Sequence, residues 1–350
     1  MKEVKRFKIA GGRIVKTAIS VFITAIICHQ LNLPAIFAVI TAIVTTEPTA
    51  SDSVRKGIIR LPASAIGAAI SMFFSWVFGE TAHTYALAAV LTIWTCNRLK
   101  LDEGTLVATL TAVAMIPDVH DHFLLAFVSR LGTTAIGLTV STVVNFMIMP
   151  PKYSPMILNQ IDEICNSIGT TLKLLSREMI EGKGSHLQTK RAYRRITKQL
   201  ERTMQLSDYQ HEEFRYHKHS TSEVRIFHYA TKQVNLLQQF VFHLGNLQYA
   251  QLNKEEFCEE EKDLLKRAID SIILVLKDPN HHVPEEHFAI IKELDHYFWH
   301  WKRELAHQPT NKYHHHFASH TIILYEILSM HDALEELEHL VNKAKGAREA

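Results

Sequence analysis

Only four cysteines stand in the 350 residues: Cys28, Cys96, Cys165 and Cys258. None forms a CxxC pair, which argues against a disulfide framework and against a thiolate metal site. Nucleophile elbow, Walker loop and dinucleotide glycine motif are all missing, so an enzyme of the soluble type is not expected and no cofactor is implied. The formal net charge is only +2, and neither half of the chain is strongly basic or acidic. A nucleic-acid partner is therefore not suggested. Strand-type alternation is also lacking, which points to an all-α fold. The most telling shortage is local. Between Thr17 and Pro151 charge is absent from long stretches, whereas no such stretch follows Lys152. The mean hydropathy of −0.02 averages a membrane-like part with a soluble one.

Six apolar segments occupy the first part. Three are long: Thr17–Leu33, Leu61–Gly79 and Phe123–Met149. Three are short: Pro34–Thr46, Tyr85–Asn97 and Gly104–Ile116. A bilayer core of about 30 Å asks for roughly 20 helical residues, so the short segments must thin the bilayer, pack behind longer helices or re-enter under cover of protein. The basic lead (Lys2, Lys5, Arg6, Lys8, Arg13, Lys16) is followed by an uncharged run with no small-x-small cleavage site, which reads as an uncleaved first span. Arg55, Lys56 and Arg60 fall in one loop region, and Arg98 and Lys100 in another. Placing both in the cytoplasm gives an N-in, C-in topology with six crossings. Five crossings is the rival. The expected division is a transmembrane domain at 1–151 and a cytoplasmic antiparallel helical bundle at 152–350.

Three long segments open with one phrase, R-x-x-x-[ST]-A-I-[SG], at Arg13, Arg60 and Arg130. Small residues continue along the same face: Ser20 and Thr24; Ala63, Gly67 and Ser71; Thr133, Gly137 and Ser141. Small residues four apart let helix backbones approach in lipid, where packing drives association. Gly67, Ser71, Thr133, Gly137 and Ser141 are therefore expected at helix contacts. Arg13 and Arg60 are expected at cytoplasmic helix ends, snorkelling to phosphates. Arg130 lies about two turns into its segment, where a charge costs about 2.5–3.5 kcal/mol at full depth. It is the leading candidate to meet an anion, with an interfacial, outward-reaching arginine as the alternative. Arg60 is a second candidate, as part of a basic vestibule. Glu47, in Thr45-Thr46-Glu47-Pro48-Thr49, is either a proton-coupling carboxylate or a plain helix end, since Pro48 cannot continue the helix.

The second part shows amphipathic helical periodicity throughout, beginning with Ile157, Ile161, Ile164, Ile168, Leu172 and Leu175. A basic stretch from Lys190 to Arg202 suits either a lipid-facing surface or a solvated face. His296 with His300, and His316 with His320, have i, i+4 spacing, but no HExxH or three-ligand set accompanies them, and no metal site is expected.

Gly12-Arg13-Ile14-Val15-Lys16-Thr17-Ala18, Leu33-Pro34, Glu47-Pro48-Thr49, Gly67 and Arg130-Leu131-Gly132-Thr133 with Gly137 occur in an order that resembles the bacterial aromatic acid exporter family. The likeness is to its short branch with a C-terminal helical domain. That membrane domain is akin to those of fusaric acid resistance proteins and plant aluminium-activated malate transporters. Glu47 stands where the branch pattern carries glutamine. The resemblance implies six membrane helices, a homodimer in the lipid bilayer and small organic anions, aromatic carboxylates among them, as cargo for export. The rival is a membrane-anchored regulatory or scaffold protein whose bundle binds partners without transport. A metal-handling role through the histidines is a third, weaker reading.

Overall fold

The structure is a computed structural model and describes residues 2–119, 123–148, 153–182, 184–216, 219–250, 258–307 and 319–349. Among these residues there are helices and no strands. Two compact units form. The first comprises Met1–Pro151 with His211–His217, and the second Lys152–Gln210 with Lys218–Ala350.

The first unit contains α1 (Lys2–Gln30), α2 (Ala35–Val44), α3 (Ala50–Phe78), α4 (Ala82–Arg98), α5 (Thr105–Met115) and α6 (Phe123–Met147). Stretches of α1, α3 and α6, namely Gly12–Gln30, Ala50–Phe78 and Leu124–Met147, are each long and apolar enough to cross a membrane. With its 10 residues, α2 reaches only about 15 Å at about 1.5 Å per residue. Leu33-Pro34 sets its start, and Glu47-Pro48 follows its end, where proline cannot continue the ladder. The outward faces are apolar: Trp76 is 73% exposed and Leu124 76%, the surface a bilayer would cover.

The interior is built from small side chains. Ala63, Cys96 and Ala108 form one buried cluster, and Ala88, Ala112 and Ile116 another. A Cβ on Gly67 would lie 2.2 Å from the Ala108 carbonyl oxygen, and one on Gly137 would lie 2.4 Å from that of Ala38. Both glycines therefore mark places where helix backbones touch, α3 on α5 and α6 on α2. Ser71, Thr133 and Ser141 are buried as well.

One expectation shifts. The helix carrying the second arginine phrase begins at Ala50, not near Leu61, and runs on through Pro62. Its first turn is closed by several acceptors. Thr49 Oγ1 accepts the Asp52 N–H at 3.0 Å and donates to Glu212 Oε2 at 2.8 Å, while the Ala50 N–H donates to Glu213 Oε1 at 2.8 Å. Carboxylates suit a helix N-terminus because they meet its orphan N–H groups and the positive end of its dipole. These contacts explain why His211–His217 groups with the first unit.

The second unit holds α7 (Ser154–Met179), most of α8 (His186–Glu213), α9 (Thr221–Tyr249), α10 (Glu259–Lys277), α11 (Glu285–His307) and α12 (Ser319–Glu349). α7 packs on α9 and α10, α9 on α12, and α11 on α10 and α12. The apolar stripe of α7 is buried as its periodicity requires. Val224 is exposed, at the first turn of α9. Arg191, Arg194, Arg195, Lys198 and Arg202 lie on the exposed face of α8. His296 and His300 are exposed, and no group of three metal-type ligands occurs among the described residues. His316 lies outside them.

Candidate anion site

Arg130 sits in the second turn of α6. The hydroxyls of Thr133 and Thr134 donate to its own carbonyl at 2.9 and 3.0 Å, which occupies both threonines inside the helix. Its side chain is buried. The guanidinium lies over the Phe37 ring, 3.7 Å from the centroid, and Nη2 donates to Thr111 Oγ1 at 3.1 Å. A desolvated cation on a ring face gains about 2 kcal/mol. Thr111 and Ser64 share a hydrogen bond of 3.0 Å, and Ser64 and Thr134 one of 3.3 Å. A hydroxyl relay thus runs from Arg130 across α5 and α3 and back to α6.

Arg60 lies one turn before Ser64 on α3. It is buried and far from any helix end, unlike the snorkelling arginine its neighbours Arg55 and Lys56 suggest, because α3 starts ten residues earlier. Its Nη2 donates to Glu47 Oε1 at 2.6 Å, and its Nε to the Glu103 carbonyl at 3.1 Å. Lys56 donates to Glu47 Oε2 at 3.2 Å. Glu47 is therefore an acceptor for two cations, with both Arg60 and Glu47 side chains about nine-tenths buried. A buried pair of this kind makes removal of one partner costly, about 3–5 kcal/mol.

A third cation was hidden in the basic lead. Lys16 Nζ donates to Asn145 Oδ1 at 2.8 Å, and Asn145 Nδ2 reaches Ser53 Oγ at 2.7 Å and the carbonyls of Thr49 and Glu47 at 2.9 and 3.1 Å. Thr45 and Ser141 join at 2.7 Å. Asn145 ties the Glu47 loop to α6, so it positions Glu47 toward Arg60. The available signal was the single side-chain amide of α6. Phe37 and Thr111 gave no signal of their own. The structure brings Glu47 and Arg60 together; Arg130 connects to Arg60's helix through Thr111 and Ser64.

The second unit has buried polar groups of a different kind. His287 Nδ1 pairs with Ser271 Oγ at 2.8 Å and its Nε2 with His331 Nδ1 at 3.1 Å. Burial first, and His331 second, push the His287 pKa down to about 4. Burial pushes the Cys165 thiol up to about 12, so it stays a packed thiol and not a nucleophile.

The family model of aromatic acid exporter family member 1 matches residues 8–148. Over 346 residues the chain is 46% identical to a UPF0421 protein of Bacillus cereus, covering 99% of this chain and 98% of that protein. A UPF0421 protein of Halalkalibacterium halodurans is 39% identical over 328 residues, with 94% and 88% covered. One from Staphylococcus saprophyticus is 37% identical over 289 residues, with 81% and 88% covered.

Proposed function

The chain belongs to the aromatic acid exporter family, as a relative of the UPF0421 proteins, and from that premise we propose that it is an inner-membrane exporter of small organic anions, aromatic carboxylates among them. The observation that carries this reading is Arg130: a buried guanidinium on an aromatic face, in a helix long enough to span a bilayer. A planar carboxylate fits a guanidinium through paired N–H donors, and the Phe37 ring beside it suits an aromatic acid. Thr111 and Ser64 lie beside it, and their mutual hydrogen bond can be exchanged for bonds to the remaining polar atoms of such a ligand. On this reading Glu47 is a built-in carboxylate that neutralises Arg60, and a proton on Glu47 would loosen that hold.

All six helices of the first unit cross or enter the bilayer, the N-terminus and the second unit face the cytoplasm, and two copies form a dimer. The family membership supports a membrane transporter; the cargo, orientation and dimer belong to the proposal.

Purified protein reconstituted in liposomes and loaded with radiolabelled benzoate tests it. Wild-type protein should carry benzoate but not benzamide. A charge-assisted hydrogen bond is worth about 1.5–3 kcal/mol, so Arg130→Gln should lose about 10- to 100-fold in benzoate flux, with Arg130→Lys in between. Unchanged flux in Arg130→Gln removes Arg130 from the site. No carboxylate flux, together with capture of one specific partner by the second unit, turns the reading to a membrane-anchored scaffold.

A further inference from the structure

α1 and α4 end in the same way. Cys28-His29-Gln30-Leu31-Asn32-Leu33 closes the first and Cys96-Asn97-Arg98-Leu99-Lys100-Leu101 the second. Asn32 and Lys100 both take positive φ, 52° and 57°. The Leu33 N–H returns to the Cys28 carbonyl at 2.9 Å and the Leu101 N–H to that of Cys96 at 2.8 Å, a shared helix-stop geometry. Upstream, Ser20, Thr24 and Cys28 are buried on α1 where Ala88, Thr92 and Cys96 are buried on α4. The correspondence continues along the chain. Ala38, Thr41 and Ala42 on α2 match Ala108, Thr111 and Ala112 on α5, and Arg60, Ser64, Gly67 and Ser71 on α3 match Arg130, Thr134, Gly137 and Ser141 on α6.

Packing obeys the same correspondence. α1 packs on α2 and α6, and α2 on α6; α4 packs on α5 and α3, and α5 on α3. Each three-helix repeat lends its third helix to the other. The glycine contacts are reciprocal, Gly67 on Ala108 and Gly137 on Ala38. The α3–α6 contact pairs equivalent residues with each other, as a twofold axis demands. Ser64 meets its own equivalent Thr134 at 3.3 Å. Gly57 faces Thr142, and their equivalents Phe127 and Met72 pack on one cluster, Ala68 with Met115. Rising numbers on α3 pair with falling numbers on α6, so the helices are antiparallel and the axis crosses them at Ser64 and Thr134. With both helices spanning the bilayer, that axis lies in the membrane plane, which makes the repeats inverted. The phrase at Arg13 has no equivalent in this scheme.

The two halves differ at their arginines. Arg130 turns to Thr111, while Arg60 turns away to Glu47 and the Glu103 carbonyl. Thr41, the equivalent of Thr111, donates to the Phe37 carbonyl of its own helix. The position equivalent to Glu47 is Pro117, which has no carboxylate.

We infer that the first unit exchanges between two states related by this axis, in which Arg60 and Arg130 swap roles. In the second state Arg60 leaves Glu47 for Thr41 while Arg130 withdraws from Thr111. Glu47 is the positioning residue that holds the exchange in the state described. Such an exchange opens a central site to either membrane face without moving it, and it does not depend on which anion is carried.

Spin-label distances test this in the full-length chain. Ile40, Phe73, Leu110 and Val143 are exposed, and the first two are the equivalents of the last two. The pairs Ile40→Cys with Phe73→Cys, and Leu110→Cys with Val143→Cys, are labelled in a Cys258→Ser background. Cys28, Cys96 and Cys165 are buried and stay. Protein in lipid nanodiscs is diluted with unlabelled copies, so that distances within one chain are read. Both pairs should show the same two distances with opposite populations, and Glu47→Gln should move the populations severalfold in opposite directions. Unrelated single distances for the two pairs, or populations indifferent to Glu47→Gln, would overturn the proposal. Should liposomes carry no carboxylate, the transport reading falls while the spectra still decide the exchange.

Discussion

Gly67 and Gly137 are the residues whose replacement the structure prices most directly, because a backbone carbonyl stands where a methyl would go. Overpacking of this kind costs about 1–3 kcal/mol. Gly67→Ala and Gly137→Ala should each lower the melting temperature in detergent, while Gly132→Ala, with nothing within 4 Å of its added Cβ, should be neutral or slightly stabilising through helix propensity. Equal melting of all three variants would remove the close-approach account. Both tight glycines were legible as members of small-residue stripes. The partner of Arg60 was not legible. Glu47 lies across a proline-marked turn, and sequence spacing alone does not say that the turn folds back one helical stretch to meet Arg60. Lys16 and Asn145 were hidden for a similar reason, since 129 residues separate them.

At the scale of helices, the contact of α10, α11 and α12 through Ser271, His287 and His331 sets a pH response. The unfolded histidine has a pKa near 6.5, and the folded one is lowered to about 4. The unfolded chain therefore binds the proton more readily across that window. Stability is fully present above about pH 6.5 and falls as pH drops through about 4, by at most about 3 kcal/mol. Hydrogen exchange in α10 peptides, corrected for intrinsic rate, should show protection falling across this range, and His287→Gln should flatten the response. The helices themselves were legible from their apolar stripes, because burial of one face repeats every three to four residues. This histidine pair was not, since the positions are 44 residues apart and neither stands out in a histidine-rich segment. The early start of α3 also escaped the hydropathy pattern: its first turns are polar and depend on capping carboxylates far away in sequence.

For the whole molecule, the contrast in hydropathy separates an apolar part from a polar one, while the grouping of His211–His217 with the first unit rests on two glutamates that no local pattern marks. Orientation is open to a simple measurement. His83 stands in the first turn of α4, just after the α3–α4 loop with few basic residues, and Lys100 follows α4 in a basic one; both are exposed. In intact cells a membrane-impermeant maleimide should label His83→Cys and leave Lys100→Cys unlabelled until the cells are opened. The reverse pattern would invert the topology. The caps on α3 carry a further consequence. Thr49 and Ala50 leave the ribosome long before Glu212 and Glu213, which follow Thr49 and Ala50 by 163 residues. The first turn of α3 is therefore completed late in synthesis, after α7 and nearly all of α8 have been made. A chain cut at Pro151 would emerge with that turn unfinished, so the first unit is not a module that a cut after residue 151 can release intact.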